Sequence, residues 1–175
     1  FYTQINSNVH RSSHKNAEQA TVEFENTRDV IKRFLGASSC REIVFTSGAT
    51  DSINLVAESF VKDRLKKGGV ILVSKIEHHS NFLPWSELAR KSGATIKELP
   101  VKDDLLYDIE KIYDILKKES VCFVAIHHMS NISGAVQNIK KIIDEVRCFD
   151  VPILVDGAQS GLHAKLNMLD LDCDF

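Results

Sequence analysis

The sequence predicts an α/β fold in which a mostly parallel sheet is flanked by helices. Short continuous apolar runs, such as Val70–Val73, alternate along the chain with segments whose apolar residues recur every three or four positions. Continuous apolar runs are typical of strands that are buried on both faces, and their alternation with helices is typical of a parallel sheet. The length of 175 residues is enough for one domain with a substantial core.

The spacing of apolar residues predicts each element in turn. Gly36 is expected to stop the first helix, Pro84 is tolerated in the first turn of another, and Asp108 can cap a third. The residues from Leu171 to Phe175 resemble the start of an element that is cut off. Helices are predicted at about 16–35, 53–61, 82–92, 109–116 and 139–149, and strands at 43–45, 70–73, 94–99, 121–126 and 152–155.

Composition and charge exclude several classes of function. The net charge of −2, from 22 basic and 24 acidic residues, gives no reason to expect a nucleic-acid or membrane partner. No apolar run approaches the roughly 18 residues of a membrane helix, and the N-terminus does not resemble a secretory signal. The four cysteines form no CxxC pair, so free thiols in a cytoplasmic protein are expected: Cys40, Cys122, Cys148 and Cys173.

Chemistry is expected in the loops that leave the strands, because ligands of open parallel sheets bind beyond the carboxyl ends of the strands. The small residues at 46–50 precede a helix whose first free N–H groups favour a phosphate. An ordinary capped turn explains the same residues. The adjacent His78 and His79 can supply a flat ring or an acid–base group, or they can be satisfied loop histidines.

Two further loops carry polar residues after apolar strands. Asn131 is a hydrogen-bonding candidate or a plain turn residue, and Asp156 follows a fully apolar run, where a carboxylate needs a partner or caps a turn. Four such loops at one sheet edge favour a single site. A phosphate cradle, a flat ring, an amide and a buried carboxylate together suit pyridoxal 5′-phosphate (PLP).

These loops also resemble a known family. The run Glu77-His78-His79-Ser80-Asn81, followed by Leu83-Pro84-Trp85, resembles the group II (SufS/NifS-like) cysteine desulfurases. These belong to the class V aminotransferase family and to the fold type I PLP-dependent enzymes. The stretches at 8–11, 130–134, 155–159 and 171–175 agree, in the same order along the chain.

The resemblance implies roles for the first two loops. The residues Gly48, Ala49 and Thr50 would hold the cofactor phosphate. Ala49 departs from the threonine often found there, which removes a hydroxyl contact but keeps the backbone N–H groups. His79 would stack on the pyridine ring and help to move protons, which makes it the candidate catalytic residue.

The resemblance implies roles for the later loops as well. Asn131 would lie near the ring hydroxyl and the substrate, Asp156 would pair with the pyridine nitrogen, and Gln159 would bond the ring hydroxyl. His10 and Arg11 match a segment near the entrance of the family's active site. No metal is expected in the site.

By the same resemblance, residues 1–175 are expected to be part of a PLP-binding large domain that is truncated at both ends, without the N-terminal segment and the small C-terminal domain. The full-length parent would take sulfur from L-cysteine, giving alanine and an enzyme persulfide for iron–sulfur cluster assembly or another sulfur-transfer pathway. It would be a cytoplasmic homodimer that serves a sulfur-acceptor protein. The Schiff-base lysine and the persulfide cysteine would follow Phe175, and Lys75 matches no lysine motif, so the chain alone is expected to be inactive.

Other functions remain open on the sequence alone. Another class V enzyme, such as a selenocysteine lyase or an epimerase-like enzyme, differs in residues outside this sequence. A non-catalytic remnant would keep the sheet and bind nothing. A metal hydrolase would have to use His78, His79, His128 and Asp156, although adjacent histidine side chains diverge.

Overall fold

The computed structural model describes residues 1–11 and 13–175, and these form two compact units. The first contains Phe1–Phe45 and Leu166–Leu169, and the second contains Thr46–Lys165 and Asp170–Phe175. Within the described residues, none of the helices is long and apolar enough to cross a membrane.

The first unit is built on one long helix, α1 (Lys15–Leu35). The imidazole of His14 caps its start, since Nδ1 accepts the Ala17 N–H at 3.4 Å. Gly36 ends it in the left-handed conformation with φ of 65°, which a residue with a side chain adopts less readily. The predicted helix and its glycine stop are therefore confirmed.

The strand predicted at 43–45 is wrong. A 3₁₀ turn at Cys40–Glu42 leads into an irregular segment in which Val44 is 63% and Phe45 is 42% exposed. The Ile43 carbonyl accepts a hydrogen bond from the Arg28 guanidinium instead of a neighbouring strand. The short apolar run therefore packs partly against α1 and does not enter the sheet.

The second unit contains a four-stranded sheet in the order β2-β1-β3-β4, and all three pairings are parallel. This confirms the predicted fold class. The strands are β1 (Val70–Val73), β2 (Thr95–Glu98), β3 (Val121–His127) and β4 (Ile153–Asp156).

Helices cover both faces of this sheet. On one face Leu72 and Val124 pack with Ile112 and Ile142 of the helices, and on the other Ile71 and Phe123 pack with Ile53 and Trp85. A π-helical turn at Ala57–Val61 joins α2 to α3. The helices of this part are α2 (Ala49–Val56), α3 (Lys62–Arg64), α4 (Leu83–Ser92), α5 (Ile109–Lys118), α6 (Ile139–Arg147) and α7 (Ser160–His163). The last helix, α8 (Met168–Leu171), includes residues of both units.

The last residues lie along β4. Phe175 donates its N–H to the Ile153 carbonyl at 3.3 Å and accepts the Val155 N–H at 2.9 Å, which is the pattern of a parallel neighbour. Arg147 at the end of α6 holds this segment through the Asp172 carbonyl at 2.6 Å and the Asp174 carboxylate at 3.1 Å. The segment predicted to begin a new element thus adds backbone pairing at the β4 edge.

The sheet register brings the polar strand ends together. His127 at the end of β3 is the register partner of Asp156 at the end of β4, and Val73 at the end of β1 is the partner of Ala125. The loops that follow β1, β3 and β4 therefore leave the sheet at one edge.

Candidate functional site

A cavity of about 580 Å³ lies at this carboxyl edge of the sheet. Its wall combines the start of α2, the loop after β1, the end of β3 with its loop, and the end of β4 with the turn that follows. Six of the seven residues predicted for a cofactor site line it, namely Gly48, Ala49, Thr50, Asn131, Asp156 and Gln159.

The start of α2 forms one side of the cavity. Gly48 precedes the helix with φ of 152°, a conformation that favours glycine, and offers no side-chain cap to the first turn. The Ser47 N–H donates to the Asp51 carboxylate at 3.1 Å, which holds the loop against the first turn. Backbone N–H groups at a helix start can bind an anion, so Ala49 and Thr50 lie where a phosphate is favoured.

Asp156 also lines the cavity and ends β4, directly after the apolar residues of that strand. Its Oδ1 atom accepts the Ala158 N–H at 2.9 Å, which fixes the carboxylate in a tight turn. A carboxylate at the carboxyl end of a buried strand can pair with a cationic group of a bound molecule.

Asn131 and Gln159 bring amide groups to the same cavity. The loop of Asn131 is held by the Ser130 hydroxyl oxygen, which accepts the N–H groups of Ile132 at 3.3 Å and Ser133 at 3.2 Å. Gln159 directly precedes α7 and is exposed. Both amides can donate to or accept from a polar substituent on a ligand.

The structure separates the two adjacent histidines. His78 lines the cavity, whereas His79 lines a neighbouring groove of about 500 Å³, which His78 also borders. The two ring centroids lie 6.3 Å apart. A 3₁₀ turn begins at His79, and successive side chains of such a turn point in different directions.

The tautomer of His78 follows from its hydrogen bonds. Its Nδ1 atom accepts the Ser80 N–H at 3.2 Å, and the Ser80 hydroxyl lies 2.7 Å away from the same atom. Nδ1 therefore carries no proton, and a neutral His78 presents its proton on Nε2.

His127 is a cavity residue to which the sequence assigned no role. It is only 4% exposed, and its Nδ1 atom lies 2.9 Å from the carboxylate of buried Glu77. In the sequence Glu77 directly precedes His78 and His79, whereas Tyr107, which also contacts Glu77, lies 30 positions further on and His127 lies 50 positions further on. Nothing in the linear order showed that these residues meet.

The neighbouring His128 is partly buried, and its Nδ1 atom has no hydrogen-bond partner in the described structure. Burial lowers the pKa of this imidazole, and the nearby His127 adds to the effect. Among the described residues, no group of three or more His, Cys, Asp or Glu side chains is arranged to hold a metal ion.

The segment with His10 and Arg11 belongs to the first unit, while the cavity residues all belong to the second. His10 has a φ of 60°, and its Nε2 atom lies 3.0 Å from the Glu25 carboxylate. Its role at an active-site entrance stays a prediction.

Comparison with known proteins places the chain in a family. The model of the family described as Aminotransferase class-V matches residues 1–175. The chain belongs to the class-V aminotransferase family. This class-V chain is 41% identical over 175 residues to a probable cysteine desulfurase of Halalkalibacterium halodurans and 35% identical to one of Vibrio cholerae. The match covers 100% of this chain and 43% of each of those proteins.

Solved structures agree with this placement. The apo structure of cysteine desulfurase from Thermococcus onnurineus NA1 has a TM-score of 0.93 and 32% identity, over 99% of this chain and 42% of that one. The cysteine desulfurase CsdA from Escherichia coli, in an S-sulfonic acid form, has a TM-score of 0.88 and 33% identity. That match covers 99% of this chain and 43% of that one. The class-V chain therefore spans less than half the length of these relatives.

Proposed function

We propose that this class-V chain supplies the PLP-binding part of a cysteine desulfurase. Such an enzyme transfers the sulfur atom of L-cysteine to an acceptor thiol and leaves alanine. The observation that carries the proposal is the convergence of a helix start, two amides and a strand-end carboxylate on one cavity. The relatives named cysteine desulfurases support the choice of reaction within the family.

The residues of the cavity fit PLP by their chemistry. The start of α2 offers backbone N–H groups to a phosphate, and Gly48 leaves open space at its Cα because a Cβ built there meets nothing within 4 Å. Asp156 offers a carboxylate to a protonated ring nitrogen. The cavity of about 580 Å³ lies in the size range of small-molecule sites.

When bound, PLP supplies an aromatic ring that withdraws electrons from bonds to the α-carbon of the substrate. Asp156 would hold a proton on the ring nitrogen, because a carboxylate stabilises the neighbouring cation. Asn131 and Gln159 would bind and orient the ring hydroxyl, and Ala49 and Thr50 would bind the phosphate through their N–H groups.

The stacking and proton-transfer role that the resemblance gave to His79 has two candidates. His79 borders the neighbouring groove, while His78 lines the cavity and has its Nδ1 atom occupied by Ser80. His78 can therefore present Nε2 to a bound molecule, and we include it as a candidate for that role.

The wider context of the enzyme is part of the same proposal. We expect a cytoplasmic homodimer that passes sulfur to an acceptor protein, for iron–sulfur cluster assembly or another sulfur-transfer pathway. The described residues lining the cavity include neither a lysine nor a cysteine. We therefore expect the lysine that binds PLP and the cysteine that accepts sulfur to be residues other than those that line the cavity.

Titration of PLP into the gene product that carries this chain tests the cofactor site. We expect a saturable change in the visible absorption of PLP and a raised unfolding temperature, since a ligand that binds the folded state stabilises it. Asp156→Ala should weaken the affinity for PLP by roughly tenfold or more, because the charged ring nitrogen of PLP loses its partner. The rise in unfolding temperature should shrink accordingly.

The matched control is Asp114→Ala, which removes an exposed carboxylate from α5. This variant should bind PLP like the unmodified protein. Absence of saturable binding in the unmodified protein would instead favour a non-catalytic remnant. Release of alanine and sulfide from L-cysteine, measured beside selenocysteine, then separates a desulfurase from a selenocysteine lyase.

A further inference from the structure

A buried carboxylate lies behind the cavity wall. The Glu77 side chain has no exposed surface, and it receives hydrogen bonds from three separate segments of the chain. The Tyr107 hydroxyl and the His127 Nδ1 atom contact Oε1, the latter at 2.9 Å, and the Asn81 amide contacts Oε2 at 2.7 Å. Because isolated buried charge is costly, three donors on one carboxylate indicate a built polar network.

The orientation of Asn81 is determined by a neighbour. The indole N–H of Trp85 donates to the Asn81 Oδ1 atom at 3.1 Å. Indole nitrogen can only donate, so the Asn81 oxygen must face Trp85 and its NH₂ group must face Glu77. The Asn81 NH₂ group therefore requires a hydrogen-bond acceptor at the position of Glu77 Oε2, and a donor at that position would be unfavourable.

The proton of His127 is placed by the same logic. Its Nδ1 atom lies 2.9 Å from both the Glu77 Oε1 atom and the Tyr107 hydroxyl oxygen. Because the Tyr107 hydroxyl donates its proton to Glu77, both neighbours of Nδ1 act as acceptors, and so Nδ1 carries the proton. Its Nε2 atom lies 3.5 Å from the Gln137 Nε2 atom, which is a donor because Gln137 Oε1 accepts the Tyr107 N–H at 2.9 Å. The ring is thus held with its proton on Nδ1 and a lone pair on Nε2.

This histidine is also part of the cavity wall. His127 lines the cavity and is the register partner of Asp156 across β3 and β4. Asn81 lies one residue after Ser80, which also lines the cavity. The Glu77 carboxylate therefore joins the segment after β1 to the end of β3, directly behind two parts of the wall.

We propose that Glu77 is a positioning residue of this cavity, which fixes His127 as the Nδ1–H tautomer beside Asp156 and thereby sets the wall for the ligand. The tautomer follows from the protein alone. The consequence for PLP affinity rests on the proposed function.

The tautomer is measured by NMR of the gene product labelled with ¹⁵N in its histidines, without added PLP. His127→Gln identifies the His127 signals by their loss. We expect a protonated Nδ1 and an unprotonated Nε2 in the unmodified protein. In Glu77→Gln the new amide oxygen must face Asn81, so its NH₂ group faces His127. The proton should then move to Nε2, because the 3.5 Å contact of Nε2 with the Gln137 amide is weaker than the 2.9 Å contact at Nδ1.

Two results overturn the proposal: an Nε2–H tautomer in the unmodified protein, or an unchanged Nδ1–H tautomer in Glu77→Gln. A purely structural loss of packing would not exchange the tautomer. If Glu77→Gln does not fold, Tyr107→Phe is the second variant. Tyr107→Phe keeps the contact between Glu77 and His127, so the Nδ1–H tautomer of His127 should persist. Loss of that tautomer in Tyr107→Phe would show that Tyr107, and not Glu77, fixes His127, and would contradict the proposal.

The ligand arm compares PLP affinity by equilibrium titration. Glu77→Gln should bind PLP roughly tenfold more weakly or worse, in the range seen when partners behind a ligand-binding side chain are removed. Glu98→Gln is the matched control, because it removes an exposed carboxylate paired with Lys75, and its affinity should not change.

Equal PLP affinity in the unmodified protein and Glu77→Gln would overturn the positioning role while leaving the proposed function intact. Failure of the unmodified protein to bind PLP would overturn the proposed function. The tautomer measurement would then still decide whether Glu77 fixes His127.

Discussion

The position of the Asp156 side chain is determined by the residues next to it in the chain. The apolar residues of β4 enter the sheet and carry the carboxylate to the sheet edge, where the Ala158 N–H binds it at 2.9 Å. The histidines show the opposite case, since His78, His79, His127 and His128 occupy four different environments within two short stretches of the chain. Sequence order alone does not distinguish those environments.

Substitution of the two adjacent histidines tests which of them faces the ligand. We expect His78→Ala to weaken PLP binding by roughly tenfold, because its ring lines the cavity, and His79→Ala to have a much smaller effect. Equilibrium titration of PLP into both variants of the gene product is the measurement. A larger loss in His79→Ala would support the role that the resemblance assigned to His79 and contradict the expectation for His78.

At the scale of elements, the parallel strands and the caps of the helices are set by local chemistry. Apolar runs form β1, β3 and β4, and polar residues placed one position before α5 and α6 cap them, as Asp108 and Asn138 do. The run at 43–45 fails this rule, because Arg28 and not a strand takes the Ile43 carbonyl. A run of three apolar residues carries too little information to decide between the two outcomes.

The cap of α6 provides a stability test. The Asn138 side chain accepts the Lys141 N–H at 3.3 Å, and its loss leaves a backbone donor without a partner. Asn138→Ala should lower the free energy of unfolding by about 1 kcal/mol, as is typical of a lost cap. Asn138→Asp retains an acceptor and should lose much less, and urea unfolding of both variants makes the comparison. Equal losses would show that the cap bond does not stabilise α6.

At the scale of the whole molecule, the function depends on residues brought together from distant parts of the chain. The cavity combines positions from Ser47 to Gln159, and the network behind it joins Glu77 to Tyr107 and His127. The class-V chain also spans less than half the length of its relatives. Its activity therefore has to be tested on residues 1–175 and on the gene product that carries them.

Residues 1–175 by themselves should release no alanine from L-cysteine, even with added PLP. The lining residues described for the cavity offer no lysine to bind the cofactor covalently and no cysteine to accept sulfur. Quantification of alanine by mass spectrometry, with the cysteine desulfurase CsdA from Escherichia coli as the positive control, provides the measurement. Turnover by the 175 residues above the rate of free PLP would contradict the expectation.

The sequence by itself determined the fold class, most element boundaries, the family and six of the residues that line the cavity. These features depend on the spacing of apolar residues, on apolar runs and on short polar motifs, all of which are local in the chain. Only the tertiary structure decided that His78 and not His79 lines the cavity, that 43–45 stays outside the sheet, and that Glu77 binds His127. The position of 43–45 and the contact of Glu77 with His127 depend on hydrogen-bond donors and acceptors that meet across 15 and 50 positions of sequence, and no local pattern encodes such a meeting. The difference between His78 and His79 depends on which distant segments surround each ring.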